Sequence, residues 1–240
     1  MSLTYAIPDL HGRLDLLDAA IAKIIGHSAG NSATVVTLGD YVDRGPSSRQ
    51  VIERLMGWDS ERLKLVSLKG NHEAMMWDVC NNLAELSWWI GNGGDQTLAS
   101  YGSKNCDPRS VPPSHLDWIA KLPLMHVDQH RVFVHAAVSP SVSLDRQNVQ
   151  TLLWKRYPEG FDLGHGSRHV VHGHHANPKA PIVTIGKTNL DGMAWKRGHL
   201  VIGVFEDDRR GGASEYLNVV GSTVCLRGRP PCSVRRIEHS

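Results

Sequence analysis

GDYVDRG, residues 39–45, directly follows ATVVTL (33–38), a β-branched run that reads as a buried strand. Two carboxylates, Asp40 and Asp43, and the guanidinium of Arg44 thus sit between two glycines at a strand's carboxyl end. In open α/β sheets function gathers beyond such ends, where loops converge and helices begin. The neighbouring strands repeat the pattern. LTYAI (3–7) runs into PDLHG, which places Asp9 and His11 two apart, able to leave one face of an extended segment. LKLVSL (63–68) runs into KGNHE, with Asn71, His72 and Glu73. Between these strands, LDLLDAAIAKII (14–25) has apolar residues at helical spacing, and SSRQVIERLMGW (47–58) opens with serines able to cap a helix. A helix-like stretch follows over 72–90. The order βαβαβα implies parallel pairing with right-handed crossovers.

Further on, LPLMHV (122–127) and RVFVHA (131–136) flank DQH as a hairpin, the second strand ending at His135. The last third changes character. HVVHGHH (169–175), APIVTIG (180–186), HLVIGVFED (199–207) and EYLNVV (215–220) read as short strands separated by turns. The expected architecture is α/β, a mixed sheet packed on a second, more antiparallel sheet with helices outside.

The 240 residues are 41% hydrophobic and 21% charged, with no apolar run long enough to span a bilayer and no signal-peptide pattern, so a cytoplasmic protein is expected. The net charge of +2 is uneven: Arg227, Arg229, Arg235 and Arg236 against Glu238 put +3 into residues 226–240, leaving about −1 on the rest by subtraction. Residues 1–225 are therefore expected to form a single domain and 226–240 a basic, flexible tail. The basicity is no signature of nucleic-acid binding. Cys80, Cys106, Cys225 and Cys232 show no CxxC pairing; free thiols are expected, with a Cys225–Cys232 link as the alternative.

Five strand ends together offer carboxylates, an amide and imidazoles without thiolate, an oxygen and nitrogen set suited to manganese, iron or zinc. Two divalent ions sharing one bridging carboxylate would use all of them. Within the histidine cluster, His172 and His174 project to the same side of a regular strand, and spacing alone does not choose between them.

DLHG from Asp9, GDYVDRG from Gly39, GNHE from Gly70, His135 and the later GHH resemble the signature of the phosphoprotein phosphatase family of calcineurin-like metallophosphoesterases. NGGDQTLASYG (92–102), DWIAKLPL (117–124) and LLWKR (152–156) are similar to connecting segments of its short bacterial serine/threonine phosphatases. The likeness runs from about residue 5 to residue 205. It implies the metallophosphoesterase four-layer sandwich, two facing mixed β-sheets flanked by helices. It also implies that Asp9, His11 and Asp40 hold a first metal, and that Asp40, Asn71, His135 and His174 hold a second. Manganese is the first expectation for both metals, with iron or zinc as alternatives. His72 matches the proton donor and Asp43 the carboxylate that orients it. Arg44, Arg156 and Asn71 match phosphate-binding positions.

The activity so implied is hydrolysis of phosphoserine and phosphothreonine, with phosphotyrosine as an extension, by in-line attack of a metal-bridging hydroxide. The substrate would be a phosphorylated protein or a small phosphoester. Symmetrical diadenosine tetraphosphatase and broader phosphodiesterase activities use the same machinery. The tetraphosphatase subfamily often lacks an aspartate at the position of Asp43. A non-catalytic phosphoprotein-binding module is the alternative of another class, but no ligand, Arg44 or His72 is missing.

Two departures stand out. Pro8 occupies a position usually glycine, and Ala176 one where wider relatives place a further ligand, which leaves the first metal three protein ligands. His172 reads as a packing residue. Trp88 and Trp89 read as core and interface residues, and Glu73 as either a support for the metal ligands or a helix-start carboxylate.

Overall fold

The computed structural model describes residues 2–221. Three βα units open the chain: β1 (Leu3–Ile7) and α1 (Leu14–Ser28), β2 (Ala33–Thr37) and α2 (Ser48–Met56), β3 (Leu63–Ser67) and α3 (Asn71–Cys80). The three strands pair in parallel, as the alternation predicts. The expected helix over 72–90 is two helices, because the chain turns out of α3 at Asn81 and re-enters α4 (Leu86–Ile90). Asn82 takes a positive φ of 59° in that break. Ser47 precedes α2 but makes no side-chain cap bond; Ser48 instead accepts from the Asp43 backbone N–H at 3.1 Å.

Helices α5 (Gly94–Ser100) and α6 (Pro113–Lys121) follow, then the expected hairpin of β4 (Met125–Val127) and β5 (Arg131–Val134). After α7 (Val149–Trp154) come β6 (His169–His172), β7 (Ile182–Val183), β8 (Lys187–Asn189), the short α8 (Ala194–Arg197), β9 (His199–Glu206) and β10 (Glu215–Val220). APIVTIG is thus not one strand: it bends between β7 and β8, which pair antiparallel.

Two five-stranded sheets result, ordered β10-β9-β1-β2-β3 and β4-β5-β6-β8-β7. The second is not the more antiparallel one, since each contains two parallel and two antiparallel pairings. The reason lies in β9 and β10, which return to the first sheet and pair beside β1.

Strand alternation explains the layers. Tyr5, Ile7 and Val35 face the helices of the first sheet, whereas Ala6 and Val36 face inward and meet Phe133, Val171 and Phe205 between the sheets. Val132, Val134 and Val170 point outward from the second sheet and pack with Leu152 of α7. At about 25 cal/mol per Å² of apolar area, these three clusters supply most of the driving force for folding.

No helix among the described residues is long and apolar enough to cross a membrane. Cys80 is a free thiol, but Cys106 is disulfide-bonded, against the expectation of free cysteines. The basic tail and the alternative Cys225–Cys232 link lie outside the described residues.

Candidate metal and phosphate site

Parallel β1, β2 and β3 bring their carboxyl ends to one edge, and β5 and β6 of the facing sheet end beside them. All ten site residues singled out by sequence approach this edge, and seven of them line one cavity of about 480 Å³: Asp9, Asp40, Arg44, Asn71, His72, Arg156 and His174. His11, His135 and Asp43 lie just behind its wall, fully or almost fully buried.

The loop after β2 is the keystone. Asp40, Asp43 and Arg44 all take positive φ, at 54°, 72° and 66°, a region that costs L-residues of order 1–2 kcal/mol. Glu73 holds that loop from the first turn of α3. Its two carboxylate oxygens accept from the backbone N–H groups of Asp40 (2.8 Å), Tyr41 (2.7 Å), Val42 (3.2 Å) and Gly70 (2.9 Å). Both sequence readings of Glu73 are therefore realised: it starts the helix and fixes the Asp40 backbone. Burial pushes its carboxyl up to about 7, against the lowering effect of those four donors. Gly70 and Gly173 are needed for closeness, since a Cβ at Gly70 would overlap Asp40 and one at Gly173 would overlap Asp9 Oδ1.

Three imidazoles each have one ring nitrogen anchored on a backbone carbonyl. His11 Nδ1 and His135 Nδ1 lie 2.8 Å from the carbonyls of Val42 and Leu38, and His174 Nε2 lies 3.2 Å from that of Trp154. Each of these nitrogens donates to its carbonyl, which leaves the other ring nitrogen unprotonated. His135 Nε2 and His174 Nδ1 then both face Asn71 Oδ1, at 2.9 and 3.0 Å, with Asp40 Oδ1 3.4 Å from His135 Nε2. Four lone-pair donors converge with no proton between them, an arrangement a cation satisfies. Asp40, His135 and His174 form one group whose ligand atoms lie within 4.8 Å of one another; His11, Asp40 and His72 form another. Asp9 falls in neither group, and its oxygens accept from the His174 backbone N–H at 3.1 and 3.2 Å.

Burial dominates the electrostatics. It holds Asp9 and Asp40 well above the usual carboxylate range, reinforced by Asp191 beside Asp9 and by Asp9 beside Asp40. It holds His11 and His135 well below the usual imidazole range, and His174 down to about 4. A divalent cation reverses the first preference and reinforces the second, since it favours charged carboxylate and neutral imidazole alike.

His72 is held differently. Its Nδ1 lies 2.6 Å from Asp43 Oδ2, and its Nε2 points into the cavity, 3.0 Å from Arg44 Nη2. Burial lowers the His72 pKa and the Asp43 carboxylate opposes that shift. Asp43 is in turn gripped by Trp89, whose Nε1 donates to both carboxylate oxygens at 2.9 and 3.0 Å, and by Thr97 Oγ1 at 2.7 Å. Sequence reasoning assigned Trp89 to packing. It is wholly buried, so that reading holds, but its N–H also fixes Asp43. Nothing in the WW dipeptide distinguishes the two residues: Trp88 is 41% exposed and stacks on Trp154. Asn92, Trp154 and Asp191 also line the cavity and carried no ligand-type spacing. Arg44 lies over the Trp195 ring at 5.5 Å, and Arg156 projects from just beyond the end of α7.

Residues 4–210 match the family model described as Calcineurin-like phosphoesterase. Among curated proteins, the chain is 29% identical over 143 residues to a symmetrical bis(5'-nucleosyl)-tetraphosphatase of Pseudomonas fluorescens, covering 59% of this chain and 43% of that one. It is 29% identical over 92 residues to serine/threonine-protein phosphatase 2 of Escherichia coli, covering 38% of each. The chain spans about half the length of the curated relatives it matches first. A solved cold-active protein-tyrosine phosphatase of a psychrophilic Shewanella shares the fold, with a TM-score of 0.66 at 16% identity over 91% of this chain and 77% of that one.

Proposed function

The chain belongs to the calcineurin-like phosphoesterase family, and from that premise we propose that it hydrolyses phosphoserine and phosphothreonine monoesters, with phosphotyrosine as a further substrate. The observation that supports this most is the 2.6 Å contact of His72 with Asp43, itself held by Trp89 and Thr97. Such a fixed acid matters when the leaving group is a serine or threonine alkoxide, which departs poorly without a proton. A diphosphate leaving group needs that proton far less.

In this reading Asp9, His11 and Asp40 would hold one divalent cation, and Asp40, Asn71, His135 and His174 the other, with Asp40 contributing to both. Manganese is the first choice of metal, with iron or zinc as alternatives. When bound, the two cations would neutralise phosphate oxygens and lower the pKa of a coordinated water. Arg44, which contacts His11 and His72, and Arg156, which lines the same cavity, grip the phosphate oxygens with planar guanidinium forks. Asn71 orients the phosphate between them. Arg44 Nη2 donates to His72 Nε2 in the free site; when substrate phosphate draws Arg44 away, Nε2 takes up a proton and delivers it to the departing oxygen while Nδ1–H stays on Asp43.

A second reading, symmetrical cleavage of diadenosine tetraphosphate, draws support from the name of the Pseudomonas fluorescens relative. A panel of phosphopeptide, diadenosine tetraphosphate and p-nitrophenyl phosphate, run with each metal, tests the choice. Peptide turnover above dinucleotide turnover is expected. Dinucleotide rates far above the peptide rates would overturn the phosphatase reading in favour of the second.

A further inference from the structure

A second cavity, of about 760 Å³, lies behind the wall of the first. The two share chain segments but take alternate residues from them: Arg156 lines the first and Tyr157 the second, and His174 and Ala176 line the first while His175 and Asn177 line the second. This second cavity is bordered by two deeply buried side chains, His172 at 2% and Lys187 at 7% exposure. His172 Nε2 and Lys187 Nζ have no hydrogen-bond partner among the described residues. Leaving such groups unmade costs about 1–3 kcal/mol each.

The two nitrogens ask for opposite things. His172 Nδ1 lies 2.9 Å from the Gly173 carbonyl and donates to it, so Nε2 keeps its lone pair and needs a donor. Lys187 Nζ only donates and needs an acceptor. An anion fits poorly here, because Glu159 and Asp162 line the same cavity. The charge of Lys187 is already shared by two ring faces, Tyr157 and Phe161, each centred 5.2 Å from Nζ. Those rings stack in parallel, and Ile182 and Ile185 add apolar lining. The complement is a flat, neutral ring bearing one donor and one acceptor.

Both nitrogens are sealed from the cavity as it stands, beneath the Tyr157 ring beside His172 and the Tyr157 and Phe161 rings beside Lys187. We propose that this cavity binds a nucleobase, which donates to His172 Nε2 and accepts from Lys187 Nζ once those rings and the lysine stem shift aside. The site stands apart from the phosphate chemistry and does not depend on which ester is cleaved. Adenosine, which has no phosphate, is the probe. Titrated calorimetrically into the manganese-loaded 240-residue protein, it should bind at one per chain. Lys187→Met and His172→Phe should each weaken binding about tenfold or more, the worth of one hydrogen bond to a charged or buried partner. Saturating adenosine should leave p-nitrophenyl phosphate turnover within about twofold, a rate change under ~0.5 kcal/mol. Absence of binding at about 10 mM adenosine, unchanged affinity in both variants, or competition with p-nitrophenyl phosphate would each overturn the proposal. Should p-nitrophenyl phosphate not be turned over at all, the phosphatase reading fails while the calorimetry still tests this site, with circular-dichroism melting as the check that each variant folds.

Discussion

Replacing Asp43 by Asn tests the acid assignment most directly. The carboxylate is wholly buried, lies 2.6 Å from His72 Nδ1, and is the influence that opposes burial in setting the His72 proton affinity. A hydrogen bond to a charged partner is worth about 1.5–3 kcal/mol, which corresponds to roughly 10- to 150-fold in the rate of a step that needs the protonated imidazole. Asp43→Asn should therefore lower phosphoserine-peptide kcat by that factor, and His72→Asn by more. Turnover of p-nitrophenyl phosphate should fall less than about tenfold, because p-nitrophenolate leaves with little help. Trp89→Phe, which removes the N–H from Asp43 while keeping a large apolar ring, should show the same substrate bias in milder form. In the Asp43→Asn background it should add little, since two residues acting as one unit are not additive. Steady-state kinetics on both substrates, with melting curves to confirm folding, decide the matter. Equal losses on peptide and aryl phosphate, or full additivity of Trp89→Phe, would refute the argument.

Three further outcomes are expected. His174→Ala should reduce bound manganese from two ions per chain to one by equilibrium dialysis and metal analysis, whereas His172→Phe should leave both; loss of neither ion in His174→Ala would count against the ligand assignment. Glu73→Gln sets an amide against backbone donors that now share two carboxylate oxygens, at a cost of about 2 kcal/mol, or a Tm lower by roughly 4–8 °C for a chain of this size; an unchanged melting temperature would mean the loop after β2 stands without it. Burial holds His169 down to about 4, below the ordinary unfolded value of about 6.5, so its contribution is fully present above about pH 6.5 and drains away as pH falls toward 4. At about 1.4 kcal/mol per pH unit, stability should drop by about 2 kcal/mol between pH 6.5 and 5 from this residue, and His169→Gln should flatten that slope in pH-dependent urea melts; an equal slope in the variant would exclude His169 as its source.

Much of this was legible because both the fold and the site obey short-range rules. A strand of period two followed by an amphipathic helix reads locally, so β1, β2, β3 and their crossovers came directly from LTYAI, ATVVTL and LKLVSL. Ligand-type residues at strand ends are likewise contiguous in the chain, which is why Asp9, Asp40, Asn71, His72 and His135 could be named beforehand; His174 was singled out by the family resemblance, and all six are found at one edge. What the chain did not reveal depends on which surfaces meet. The break after α3 turns on Asn82 taking a positive φ, and the return of β9 to β1 is a pairing between residues some 200 apart in sequence. Trp89 touches Asp43 across 46 positions and Glu73 reaches back 33 to the Asp40 backbone. Side-chain hydrogen bonds of that range leave no periodicity in the chain. Nor does sequence spacing assign the three histidines of VVHGHH. His174 faces Asn71, His172 turns to a separate cavity, and His175 lines that same cavity, because β6 ends at His172 and His174, beyond it, takes a left-handed φ of 59°. The residue types at the strand ends are therefore the sequence's own contribution, while the direction each side chain takes was decided by packing two sheets together.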